Sequence, residues 1–88
     1  MTKEELTSLL VEYGDATITY RSANSNKLKY NVCTIDFNNE YIQSKNNRSV
    51  ETKDTVLMFC WDCDSFRLMK PENVKSVVPL SSILQNGE

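Results

Sequence analysis

The side chains with the greatest chemical reach are three cysteines, two closely spaced carboxylates and a set of cations. Cys60-Trp61-Asp62-Cys63 is formally a C-x-x-C pair, and Cys33 stands alone upstream. Zinc takes four nitrogen or sulfur ligands, commonly as two such pairs. The chain has no second pair and no His, so a zinc site completed by Cys33 and a carboxylate is disfavoured. A redox C-x-x-C sits at a helix N-terminus, where the dipole lowers the thiol pKa. This one falls around a turn in a strand-rich stretch, which suits small buried or half-buried thiols. An odd cysteine count fits free thiols in a reducing, cytoplasmic compartment, with no disulfide and no structural metal. Asp62 and Asp64 flank Cys63 and form the nearest thing to an acid–base pair beside a thiol. In a tight turn, however, aspartates ordinarily bond backbone amides. Without His, the commonest general base and every His-containing triad are gone. No nucleophile–base pair can be named, so the chain reads as non-catalytic and without a cofactor.

The cations point to binding instead. Formal charge is −2 and the pI is near 5.1, which argues against nonspecific coating of DNA. The charge is unevenly spread. Residues 21–53 hold six basic residues (Arg21, Lys27, Lys29, Lys45, Arg48, Lys53) against three acidic ones, a net +3; the other four basic and nine acidic residues give −5. The candidate binding residues are therefore Arg21, Lys27 and Lys29, then Lys45, Asn46, Asn47 and Arg48 in a polar loop, and Arg67. Long polar loops are common homes for binding residues. Tyr20, Tyr30, Tyr41 and Trp61 are interleaved with these cations and could stack bases, although Tyr20 shares a strand face with Ala16 and Ile18 and belongs in the core. Arg67 suits a planar anion, but beside Asp62 and Asp64 a structural ion pair is the more ordinary role.

These residues must be positioned by a small, mainly β domain. Thr2 and Glu5 form a capping box, and Leu6, Leu9, Leu10 and Tyr13 make one apolar stripe. They predict a helix over 2–13, stopped by Gly14 and docked on its own domain. Alternation predicts strands at 15–22 and 27–35, a hairpin about the polar cluster 22–26. In the second strand Leu28, Tyr30 and Val32 alternate against Lys27, Lys29 and Asn31. Phe37, Tyr41 and Ile42 suit one helical turn covering a sheet end, and 44–54 is a polar loop. The apolar run 55–61 predicts the central strand, within a strand 54–62. A turn at 62–65 leads to a strand at 65–70. A 3₁₀ turn at Pro71-Glu72-Asn73 precedes an edge strand at 74–79, marked by Pro79. The tail 81–88 offers only Ile83 and Leu84 for packing.

The chain is 88 residues, 40% apolar and 25% charged. That suits one soluble domain spanning 1–88, with the barrel at 15–80. No apolar run approaches a membrane span or a secretory signal. Five short strands behind one helix describe a small, strongly bent barrel, a closure that removes exposed edges.

Phe59-Cys60-Trp61-Asp62, Ser65-Phe66-Arg67-Leu68 and Asn73-Val74-Lys75-Ser76-Val77 together resemble the small WYL-like family of phage proteins. Cys33-Thr34-Ile35 and Glu40-Tyr41-Ile42 resemble the end of that family's opening hairpin and its following turn. The resemblance covers roughly residues 15–80. It implies an Sm-like barrel of the SH3 kind and a viral source. The Trp-Tyr-Leu triplet of the larger ligand-sensing regulators is absent. The expected role is a non-catalytic phage-type accessory protein, an interaction module binding a host or viral protein through an open barrel edge. The alternative is an Sm-like regulator binding RNA or single-stranded DNA. A membrane partner is not expected, and self-association into a homo-oligomer stays open.

Overall fold

The computed structural model describes residues 1–22, 24–47 and 49–81. Helix α1, Lys3–Tyr13, starts where the sequence places it. The Thr2 side chain accepts from the Glu5 amide, and Glu5 answers the Thr2 amide, so the capping box forms. Gly14 ends the helix at φ 73°, its N–H returning to the Leu10 carbonyl at 3.0 Å. A side chain there would strain the backbone. Leu6 and Leu10 are fully buried, each stabilising the fold by about 1.5–3 kcal/mol. The helix packs against the third and fifth strands.

Strands β1 (Ala16–Arg21) and β2 (Leu28–Thr34) form the expected hairpin, with Ala16 opposite Cys33 and Arg21 opposite Leu28. Asn26, at φ 56°, supplies the left-handed residue of its turn, a conformation asparagine tolerates. A short helix α2, Glu40–Gln43, is capped by the Asn39 side chain. Strands β3 (Val56–Cys60) and β4 (Ser65–Met69) form a second hairpin, with Asp64 left-handed at its turn. The 3₁₀ turn Pro71–Asn73 leads into β5, Val74–Pro79. The sheet is antiparallel, in the order β4-β3-β2-β1-β5.

Two expectations need correction. The sheet is not a closed barrel: β4 and β5 are its two edges. It nevertheless curls far enough for Arg67 of β4 to reach the Tyr20 hydroxyl of β1 at 2.9 Å, three strands away. Side chains, not a backbone ladder, span that gap. The apolar run 55–61 is not the central strand either; β2 is. The run is apolar because both of its faces are covered. Val56, Met58 and Cys60 join the main core with Leu6, Leu10, Ala16, Ile18, Tyr20, Cys33, Met69 and Val74. Phe59, on the other face, lies edge-on to Tyr41, Trp61 and Phe66, with ring centroids 5.2–6.3 Å away, and Phe37 meets Phe66 at 5.5 Å. Trp61 and Phe66 thus both pack on Phe59, and α2 lids this second, aromatic core.

Candidate functional site

The β1–β2 register decides which residues of β2 face the core. Ala16, Ile18 and Tyr20 are buried. Residues directly opposite one another share a sheet face, so Cys33, Asn31 and Lys29 turn inward with them. Leu28, Tyr30 and Val32 turn outward, against Arg21, Thr19 and Thr17. Leu28 is 58% and Tyr30 72% exposed. The alternation in this strand is real, but on its inward row Asn31 is buried with Cys33, while Lys29, on the same face, is exposed at the open end.

Asn31 is buried because the site gives its amide a full set of partners. Its Oδ1 accepts from the Tyr20 hydroxyl at 2.6 Å and from Arg67 at 3.3 Å. Its Nδ2 donates to Asp62 Oδ2 at 3.0 Å and to Cys63 Sγ at 3.2 Å. Asp62 Oδ1 also accepts from the Val32 amide at 3.3 Å. Arg67 lies over the Tyr20 ring, 5.5 Å from its centroid. Burial raises the Tyr20 hydroxyl above the usual tyrosine range, opposed by the Arg67 charge beside it. Arg67 makes no ion pair with Asp62 or Asp64 among the described residues, contrary to the expected structural pair. Nor do these aspartates bond the amides of their own turn: Asp62 serves Asn31 and Val32, and Asp64 serves Tyr41 and Lys45.

This network ends the pairing between β2 and β3. Trp61 donates to the Val32 carbonyl at 2.8 Å, Asp62 takes the Val32 amide, and the chain then turns away. Backbone groups alternate in direction along a strand. Since Val32 presents its N–H and C=O away from β1, Tyr30 and Leu28 do the same. Among the described residues, nothing bonds those groups. Beside this free half of β2 lies an open depression of about 410 Å³, lined by Tyr20, Leu28, Lys29, Tyr30, Asn31, Cys63 and Arg67. A neighbouring depression of about 200 Å³ joins Arg21 to Arg67.

Of the sequence-derived candidates, Lys29 and Arg67 line the depression beside β2, and Arg21 shares the neighbouring one while donating to the Asn26 carbonyl at 2.9 Å. Lys27 is exposed at the hairpin end. Lys45 is committed elsewhere: it bonds Asp64 at 2.9 Å and lies over the Tyr41 ring, 4.7 Å from its centroid. The Tyr41 hydroxyl also donates to Asp64, and together these contacts hold the Asp64 carboxyl below the usual range. Tyr41 stacks on Trp61 at 6.2 Å, so these two rings occupy each other. Asn46 is exposed, Asn47 accepts from the Ser49 amide at 2.9 Å, and Arg48 lies outside the described residues. The loop returns to α1 through Lys3, which donates to the Thr52 carbonyl at 2.6 Å and pairs with Glu51 at 3.7 Å. Ile83 and Leu84 also lie outside the described residues.

Asn31 and the free half of β2 were the features sequence reasoning missed. One signal pointed to them: Cys33 and Ile35 continue the inward row that Asn31 and Lys29 begin. Among the described residues, no three Cys, Asp or Glu side chains converge to hold a metal ion. No described helix is long and apolar enough to cross a membrane. No protein-family model, curated protein or solved structure matches the chain.

Proposed function

We propose that this chain is a non-catalytic interaction module, a phage-type accessory protein that takes an extended segment of a host or viral protein beside β2. The observation that carries this reading is the free half of β2, where the N–H and C=O groups of Leu28 and Tyr30 face away from β1 beyond the point at which Asp62 ends the β3 ladder. An added strand gains affinity from main-chain bonds to such an edge and specificity from alternate side chains. The flanking surface supplies that specificity. Leu28 and Tyr30 offer apolar contact on the outward face, while Lys29 and Arg67 favour acidic side chains on the inward one.

Proline at position 30 separates the main-chain contribution from that of the ring. It removes the outward N–H without breaking a β1–β2 bond, whereas Tyr30→Ala removes only the ring. Tagged protein would be used to capture partners from a nuclease-treated cell lysate. Tyr30→Pro is expected to lower recovery of the wild-type partner at least tenfold, and Tyr30→Ala to lower it less, with circular dichroism unchanged for both. Equal recovery by wild type and Tyr30→Pro would overturn the reading. Binding that disappears with nuclease treatment would transfer the same surface to a nucleic acid, the alternative that exposed Tyr30 beside Lys27 and Lys29 would serve.

A further inference from the structure

Cys33 and Cys60 sit directly opposite one another on β2 and β3, both fully buried, with their sulfur atoms 2.8 Å apart. The Trp61 N–H to Val32 carbonyl bond fixes the kind of pair they form. It runs between the residue after Cys60 and the residue before Cys33, so the two cysteines occupy a non-hydrogen-bonded site. There the Cα atoms of opposed strands come within about 4.5 Å and the side chains converge. That separation falls at the short end of the disulfide range of about 4.4–6.8 Å. The third thiol, Cys63, is exposed three residues beyond Cys60 and accepts from Asn31, the inward neighbour of Cys33.

The geometry points to a reversible cross-strand disulfide between Cys33 and Cys60, formed by thiol–disulfide exchange that enters through Cys63. This goes beyond partner binding and does not depend on it. With glutathione disulfide as the oxidant, the Cys63 thiolate attacks one sulfur and releases a first glutathione thiolate. Cys60 then attacks the Cys63 sulfur, releasing the second glutathione thiolate and forming a Cys60–Cys63 bond. Cys33 attacks Cys60, forming the buried bridge and returning Cys63 as a thiolate. Two protein thiols are oxidised, one glutathione disulfide is reduced to two thiols, and the protons pass to them. A hydrogen bond from the Cys33 thiol favours the thiolate of Cys60, against the opposing effect of burial, while that bond and burial push Cys33 up. Cys60 is thus the first of the buried pair to attack.

The bridge has a structural consequence. The β2–β3 ladder pairs only at Cys33–Cys60 and Thr34–Phe59, whereas β1–β2 pairs from Ala16–Cys33 through Arg21–Leu28. The disulfide therefore staples the shortest ladder in the sheet.

The test is equilibration of the full chain with glutathione disulfide, alkylation of the remaining thiols and cleavage before aspartates. That cleavage places Cys33, Cys60 and Cys63 on separate peptides, 15–35, 54–61 and 62–63. The expected product joins 15–35 to 54–61 and leaves Cys63 alkylated. It should melt at least about 5 °C above the reduced protein and revert with dithiothreitol. The surface variant Cys63→Ser should reach the same bridge at least tenfold more slowly. A stable Cys60–Cys63 bridge, three free thiols after equilibration, or an unchanged or lower melting temperature would overturn the proposal. An unchanged rate in Cys63→Ser would overturn the entry role.

Discussion

Replacing Asn31 by alanine removes the side chain on which the inward end of β2 converges. The cost can be worked out from its partners. The Tyr20 hydroxyl is buried and donates to Asn31 Oδ1 at 2.6 Å, so it loses its acceptor. An unmet buried donor costs about 1–3 kcal/mol. Arg67 keeps its bond to Tyr20, while Asp62 and Cys63 are exposed and exchange Asn31 for water. Asn31→Ala is therefore expected to cost about 2 kcal/mol, nearly all of it through Tyr20. Tyr20→Phe removes the same bond from the other side and should cost about 1 kcal/mol. In the double variant the buried Tyr20 donor disappears together with its acceptor, and half-buried Arg67, which loses both of its acceptors there, turns to water, so the loss should fall short of the sum by at least about 0.5 kcal/mol. Urea unfolding followed by the fluorescence of Trp61, the single tryptophan, measures all three. A loss below about 0.5 kcal/mol for Asn31→Ala, or strict additivity, would refute the claim that this amide organises the site.

Phe59→Ala should cost about 3–5 kcal/mol in the same assay, because the ring is fully buried, whereas Phe66→Ala, half-buried at the rim of that core, should cost about 2 kcal/mol; the reverse order would displace Phe59 from the centre of the aromatic core. Asp64 has a folded pKa below its unfolded one, through the Tyr41 hydroxyl and then Lys45, so its tether to α2 is present above the ordinary carboxylate pKa and is lost as pH falls through the lower folded value. Tyr41→Phe should move the Asp64 titration seen by NMR upward, and an unmoved midpoint would contradict the tether. Lys29→Gln should weaken partner capture and flatten its salt dependence, whereas Lys45→Gln, already paired with Asp64, should leave both unchanged; equal effects from the two would spread the contact surface around to α2.

The elements were legible because each carried its own local signal. Thr2, Glu5 and Gly14 punctuate α1, alternation marks β1, and Pro71 opens the 3₁₀ turn. Which face of a strand turns inward is a different matter, since register with a neighbour settles it. In β2, three apolar residues argued for one face. The pairing of Asn31 with Ile18 and of Lys29 with Tyr20 imposed the other. The inversion is stable because the Asn31 amide finds partners on β1, on β4 and in the β3–β4 turn, elements distant in sequence. Pattern within one strand cannot carry that information. The apolar run 55–61 misled for a related reason: burial on both faces marks a strand between two cores as readily as a central strand. Charge counting drew Lys45 and Lys29 into one candidate surface, but exposed cations are sorted by what pairs with them, and Asp64 had already taken Lys45.

The free half of β2 is tested most directly by amide hydrogen exchange, residue by residue, in the protein alone and with its captured partner. In the protein alone, the amides of Lys29 and Asn31, which face β1, should be protected, and those of Leu28 and Tyr30 should exchange rapidly. With the partner bound, Leu28 and Tyr30 should become protected at least tenfold. Protection of Leu28 and Tyr30 in the protein alone would contradict the free edge. Exchange at both positions that the bound partner leaves unchanged would contradict strand addition.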